Sequence, residues 1–424
     1  MYVAIVNNLT KLFFSSFREI ERRQLHMNAS LLKKNSAIPE LSIVRAIAII
    51  GVLSVHSTSV AVSTGMIDSN LFFLYNFANI FLKFGTTTFI FLSSFVLFYN
   101  YYSRPITKDL IVGFYKKRLL YIIIPYLVFS LFYFFLKYFL NSSDLSLGEL
   151  LSKLWGQLLI GKAHDHLYFV YISIQFYLMF PILLWLFKKL PKLTHWLIPI
   201  GIIIQWSFFI INKFGHDFGF DVPVKSRGSW SLSYFSYYFL GAYIGIYFNE
   251  LKRWIIVAKD NVTKKRLTLW ISTLCLWLIA GLYHVYIYYQ IRQNAVTYNT
   301  TWMDFVWNVH ALLTAIVLLQ LSFILYRKLP TFIRGLATRL GELSFGIYLF
   351  HPFILMFYRK FPATSGNIYL HHLWYLNGFL VALVASWVVV TLFAKFVPYN
   401  WIVFGNLPKT KRKTVIEKQQ GVQL

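Results

Sequence analysis

Only one cysteine, Cys275, occurs in the 424 residues, which excludes an intrachain disulfide and any metal site built from several thiolates. It lies inside an apolar run and reads as packing. Acidic side chains are scarce too, 15 against 41 lysines and arginines, giving a formal net charge of +26. The basic residues form short clusters between apolar stretches rather than one continuous stripe, so nucleic acid is not an expected partner. Also lacking is a polar stretch long enough to bury a core of its own. The longest intervals between apolar runs, Asn141 to His166 and Asn212 to Ser229, are too short for a soluble domain. Met1 to Phe17 is mildly apolar but has no charged leader and no small-residue cleavage site, so no secretory signal is read. Translation from Met27 would lose nothing essential.

What is present is apolar. Hydrophobic residues make up 58% of the chain and aromatics 20%, with a mean hydropathy of +0.57, beyond what a water-soluble domain of this size carries. Ten runs are long enough to span a bilayer as helix: 40–63, 76–101, 116–140, 167–188, 194–212, 230–249, 267–290, 302–326, 341–359 and 374–397. The expected fold is an all-α integral membrane bundle of about ten transmembrane helices, multi-pass in the cell membrane. Its lipid contacts and interfacial belts account for most of the 42 Phe and 29 Tyr. Lys and Arg are retained on the cytoplasmic side, and they alternate here between connections. The segment with Lys11, Arg18, Arg22, Arg23, Lys33 and Lys34 is basic, whereas Ala61 to Tyr75 has no basic residue. Both termini are therefore expected to be cytoplasmic. The chain divides into a basic N-terminal segment (1–39), one membrane domain (40–397) and a basic tail (398–424).

Titratable side chains inside spanning helices are candidates for function, because lipid makes them costly. The first helix has two, Arg45 and His56. Eleven residue steps make almost three helical turns, so both lie on one face, about 16 Å apart along the axis. A guanidinium near one membrane surface can hold phosphate, and a neutral imidazole deeper in can serve as general base. The bland reading is a snorkelling arginine and a polar contact between helices. His284 and His310 also fall in membrane runs and read as polar packing. His164, Asp165 and His166 place three metal-ligand types in one loop, but no further spaced ligand accompanies them and no metal site is expected.

Around Arg45 and His56 the string Leu41-Ser42-Ile43-Val44-Arg45-Ala46-Ile47-Ala48-Ile49 resembles the opening of the acyltransferase-3 family of membrane acyltransferases. Four more segments follow in the family's order: Phe89 to Leu97, Phe114 to Tyr126, His166 to Val170 with Gln175 to Pro181, and Leu340 to His351. The chain departs from the pattern in three places. Ser94 stands where a glycine is usual, Tyr121 where a second arginine would follow Arg118, and Ser173 and Ile174 where some members carry an acidic pair.

The resemblance implies an O-acyltransferase that takes an acyl group, acetyl by default, from cytoplasmic acyl-coenzyme A (acyl-CoA) as co-substrate to hydroxyls of an extracytoplasmic or lipid-linked carbohydrate. Arg45, Lys116, Lys117 and Arg118 would bind the coenzyme. His56 would act as general base or transient acyl carrier. Tyr348 and His351, near mid-membrane in the ninth run, would be secondary catalytic residues in the same cavity, and Glu342 would cap that helix. No tightly bound cofactor or metal is implied. A second reading makes the chain an exporter or flippase of polysaccharide or lipid-linked sugar, with Arg45 and His56 lining a pathway.

Overall fold

The computed structural model describes residues 37–140, 146–215, 226–258, 262–362 and 367–407. The basic segment from Lys11 to Lys34 and the tail cluster from Lys409 to Lys418 lie outside the described residues. Among the described residues there is helix and no strand. The helices are α1 Leu41–Val60, α2 Phe72–Phe81, α3 Gly85–Tyr101, α4 Lys108–Leu140, α5 Leu147–Leu159, α6 Tyr168–Lys189 and α7 Leu197–Phe214. They continue as α8 Phe235–Ile246, α9 Phe248–Ile255, α10 Lys264–Asn294, α11 Thr300–Lys328, α12 Thr331–Tyr358, α13 Ile368–Phe396 and α14 Trp401–Phe404. Nine spans among them are long and apolar enough to cross a membrane, α2 and α3 together forming one, Phe72–Tyr101. The chain is a multi-pass membrane protein.

The run expected at 230–249 differs from the others. It begins with two 3-10 turns, Arg227–Ser229 and Ser231–Tyr234, continues as the 12-residue α8 and breaks at Tyr247 before α9. It nevertheless crosses. The end of α7 meets the start of α11, where Lys213 Nζ donates to Thr300 Oγ1 and Thr301 Oγ1 at 2.7 and 2.6 Å. The end of α10 meets α2, where Arg292 donates to Asn76 and Asn79, both at 2.9 Å. The start of α10 lies against α9 through the Trp270 indole and the Trp254 carbonyl, 2.6 Å. The segment between α7 and α10 must therefore return from the face where α1 ends to the face where α1 begins. A short helix suffices because all of α8 except Tyr243 and Ile246 is buried, so its ends reach protein rather than lipid headgroups.

Without a hydrophobic driving force between helices in lipid, close packing relies on small residues. A Cβ on Gly241 of α8 would sit 2.3 Å from the Phe91 carbonyl of α3, and one on Gly341 of α12 only 1.8 Å from the Ser42 carbonyl of α1. The second approach clamps α12 onto α1 and turns the Arg45–His56 stripe toward Tyr348 and His351. Farther along α12, Pro352 has no N–H for the helical ladder. Tyr133 of α4 enters there. Its hydroxyl donates to the Leu349 carbonyl at 2.9 Å and accepts from the Phe353 N–H at 3.2 Å, bridging one ladder step with a side chain.

Helix α5 does not cross. A capping box between Ser146 and Glu149 starts it; Leu150 and Leu154 pack on Phe134, while Leu147, Leu151, Trp155 and Leu159 are exposed along one face. This amphipathic pattern suits a helix lying in the membrane interface. It leads directly into the loop that carries His164 and His166. After α13 the chain folds back, and α14 packs on α4 with the Trp401 and Tyr121 rings 5.5 Å apart.

Candidate functional site

Two cavities enter the bundle from opposite ends. The first, about 600 Å³, opens where α1 and α12 begin, and its wall includes Arg45, Tyr101, Lys117, Arg118, Tyr177 and Glu342. The second, about 500 Å³, opens where α1 ends, and its wall includes His56, Lys83, Asp165, His166, Asp304 and Trp307. Tyr348 belongs to both walls. Its side chain is 4% exposed, its ring lies 5.2 Å from Phe169, and its hydroxyl donates to the carbonyl of His166. Among the described residues Tyr348 is the one that both walls share, and it is tethered to the loop before α6, so it marks the partition between the cavities.

The Arg45–His56 stripe predicted from spacing joins the two chambers, with Arg45 in the first and His56 in the second. Arg118 completes the basic wall and stacks its guanidinium on Tyr177, 5.9 Å to the ring centre. Lys117 lines the same wall and Lys116 does not, although both are exposed residues of α4. Three of the four expected coenzyme-binding cations thus share one cavity. Glu342 reaches it too, 3.4 Å from Arg339.

Around the partition the imidazoles converge. The rings of His56 and His351 are 5.2 Å apart, those of His351 and His166 6.0 Å, and those of His166 and Tyr348 5.4 Å. His351 Nδ1 is 3.1 Å from the Ile347 carbonyl, and since a carbonyl only accepts, the proton is on Nδ1. Nε2 is left with its lone pair, buried and without a partner among the described residues. His56 is held by its backbone instead. Arg359, just past the end of α12, donates to the His56 carbonyl at 2.5 Å and to Ser59 Oγ at 3.1 Å. Immediately after, α1 passes into a π-helical turn, Ala61–Gly65, a local widening often found at functional sites.

The His164–His166 pair is the part of the site that spacing alone did not single out. The sequence offered it as part of the loop trio with Asp165, from which no metal site was expected, and through the family-like string beginning at His166. The two Nδ1 atoms are 2.8 Å apart, and His166 is 1% exposed. Burial, then the Lys137 charge, push the His164 imidazole down to about 4, against the opposing pull of Asp165. Burial, with His164, His351 and His56 adding to it, holds His166 well below the ordinary histidine range. Both are therefore neutral at pH 7, and one donates to the other. Because the folded state disfavours the charged form of His164, the unfolded chain binds the proton first. This stability is complete above pH 6.5 and is lost as the pH falls toward 4. Thermal denaturation of the detergent-solubilised protein at pH 7.5 and pH 5 should show a loss on acidification that His164→Gln reduces; an equal loss in both proteins would remove His164 as its source.

His284 and His310, expected to pack, do so away from the partition, with Nδ1 atoms 3.4 Å apart and little exposed. Among the described residues, no group of three or more His, Cys, Asp or Glu is placed to hold a metal ion.

A basic chamber and a histidine chamber thus open at opposite ends of the bundle and share Tyr348. A family model described as an acyltransferase domain matches residues 38–402, so the chain belongs to the acyltransferase-3 family of membrane acyltransferases. Among curated proteins it is similar to one from Staphylococcus epidermidis named "probable poly-beta-1,6-N-acetyl-D-glucosamine export protein", 27% identical over 335 residues, covering 76% of this chain and 82% of that one. A protein of the same name from Staphylococcus aureus is 24% identical over 279 residues, covering 64% of this chain and 69% of its own. No solved structure matches.

Proposed function

We propose that the protein transfers an acyl group, acetyl first among the candidates, from cytoplasmic acyl-CoA to a hydroxyl of an extracytoplasmic or lipid-linked carbohydrate. The observation that carries this reading is the pair of cavities that share Tyr348 in their walls, one lined by Arg45, Lys117 and Arg118 and the other by His56 and His166. In this reading the face where α1 begins is cytoplasmic. The coenzyme phosphates bind Arg45, Lys117 and Arg118, and the thioester lies at the partition. A sugar hydroxyl in the second cavity attacks the thioester carbonyl while His56 takes its proton. The C–S bond breaks, and the coenzyme thiolate recovers that proton from the His56 imidazolium. If His56 is instead the acyl carrier, its nitrogen attacks first, the C–S bond breaks and the coenzyme leaves as the thiol with the imidazole proton; the sugar hydroxyl then takes the acyl group from the ring and returns its proton to it. In this reading His351 Nε2, buried beside His56 and without a partner among the described residues, orients the imidazole or receives the proton. The aromatic and polar walls of the second cavity, with Trp307, Tyr288 and Asp304, suit a sugar, which presents apolar C–H faces and hydroxyl edges.

The coenzyme site is tested with labelled acetyl-CoA and purified protein. Arg45→Ala and Arg118→Ala are expected to raise KM for the donor by about ten- to a hundredfold, as loss of a charged hydrogen bond does. Lys116→Ala, off the cavity wall, should change it by less than about threefold, within the range of an exposed charge. Equal effects at Lys116 and Arg45 would mean that the basic cluster acts through surface charge alone.

The names of the staphylococcal relatives favour a second reading, export of a surface polysaccharide. Against it stands the partition, since a passing sugar strand would have to displace the buried Tyr348. Cells lacking the protein separate the two readings. Polymer that still reaches the surface but lacks esters indicates acyl transfer, and polymer that fails to appear indicates export.

A further inference from the structure

Beside the second cavity lies a side chamber of about 190 Å³ between α7 and α11. The two share Gly228, Tyr234, Asp304 and Trp307 as lining residues, so the chambers lie directly against each other. Its far side is aromatic, with Trp206 and Phe209 one turn apart and ring centres separated by 5.2 Å. Its polar side is fixed in advance. The Arg227 guanidinium lies over the Phe209 ring, 4.2 Å to the centre, and pairs with Asp304 Oδ2 at 3.1 Å. Asp304 Oδ1 is not used by this bond. The floor is a set of amides that already satisfy one another: Gln205 Nε2 donates to Asn308 Oδ1 at 2.5 Å, Ser236 Oγ and N–H donate to Gln205 Oε1 at 2.5 and 3.1 Å, and Tyr237 donates to Asn308 at 2.5 Å.

Such a chamber is wrong for a lipid tail, because the ion pair and amides would lose water and gain nothing. It is right for a compact molecule with an apolar face for the indole and hydroxyl edges for the carboxylate and guanidinium. We propose that it is a second sugar-binding subsite, so that the acceptor is an oligosaccharide or polysaccharide of at least two units, one beside His56 and the next against Trp206. The proposal rests on the carbohydrate acceptor advanced above and adds its minimum length.

The test uses full-length protein in nanodiscs and size-fractionated oligosaccharides released by partial hydrolysis from the producing cell's own surface polysaccharide. Transfer of labelled acetyl and equilibrium dialysis are measured for one-, two- and three-unit fractions. The expected result is a rise of about tenfold or more in kcat/KM and in binding from one unit to two. Trp206→Ala should abolish that rise while one-unit transfer stays within about twofold, and Trp206→Phe, which keeps an aromatic face and guards against misfolding in the alanine variant, should restore part of it. Flat length dependence, or a rise unchanged in both variants, would overturn the subsite. Should no fraction be acylated by the wild type, the acyltransfer reading fails. Dialysis then decides the subsite by itself, because binding that does not strengthen with length refutes it.

Discussion

Replacing His56 with alanine is expected to lower acyl transfer by about 10²- to 10⁴-fold, the range over which a positioned general base acts, while the protein still inserts and binds the donor. The structure makes this a clean experiment. The connections of His56 to the rest of the fold run through its main chain, where its carbonyl accepts from Arg359 and from Ser59 Oγ, and alanine keeps that carbonyl. The imidazole itself faces the second cavity and lies 5.2 Å from the His351 ring, so its removal enlarges a space that is already open. The proposed donor site is in the other cavity, which shares only Tyr348 with this one among the described residues, so KM for acyl-CoA should stay within about threefold, well under the tenfold step that 1.4 kcal/mol represents. Labelled acetyl transfer with donor binding measured in parallel reads both quantities. Undiminished transfer would end the assignment of His56, and loss of transfer together with loss of donor binding would point to collapse of the site instead.

Gly341→Ala is expected to have the largest effect on the fold. The added Cβ would lie 1.8 Å from the Ser42 carbonyl, with the Ser42 C and Cα atoms at 2.7 and 3.1 Å. These are backbone atoms of α1, so no rotamer change relieves the clash and the two helices must separate. Overpacking of this kind costs about 1–3 kcal/mol, occasionally more. The separation falls between the residues that form the site, with Arg45 and His56 on α1 and Tyr348 and His351 on α12, so activity should fall even in protein that still folds. Gly335→Ala on the same helix is the control. Nothing lies within 4 Å of a Cβ there, and the change should be neutral or stabilising by up to about 1 kcal/mol. Thermal stability in detergent distinguishes the two variants, and equal behaviour would show that the α1–α12 contact is looser than the structure has it.

The spanning helices were legible because lipid imposes a simple length rule on apolar runs. Arg45 and His56 were legible for a related reason. Both lie on one helix, and the α-helical repeat alone places them on one face. The reach of that face was not. Lys116, Lys117 and Arg118 are consecutive, and nothing local says which of them turns into the cavity. Packing of α4 against α6, with Arg118 stacked on Tyr177, selects the second and third. The run at 230–249 looked like an ordinary span, whereas its helix is short because protein covers most of it.

Lys83 and Asp304 had no motif around them, and Asp165 stood out only beside His164 and His166. They lie far apart in sequence, Lys83 between two helices, Asp165 in a loop and Asp304 in the second turn of α11, and only the bundle gathers them around one cavity. His166 was visible as part of a family-like string, yet its place beside His351 depends on the loop after α5 folding back over the partition. What the amino-acid order determined by itself is whatever follows from one helix at a time: membrane class, number of crossings, charge alternation and the Arg45–His56 stripe. What only tertiary structure decided is the meeting of two chambers at Tyr348, because it arises from contacts between α1, α12 and the loop before α6. Those contacts depend on how closely Gly341 lets two backbones approach, and helical periodicity carries no record of that distance.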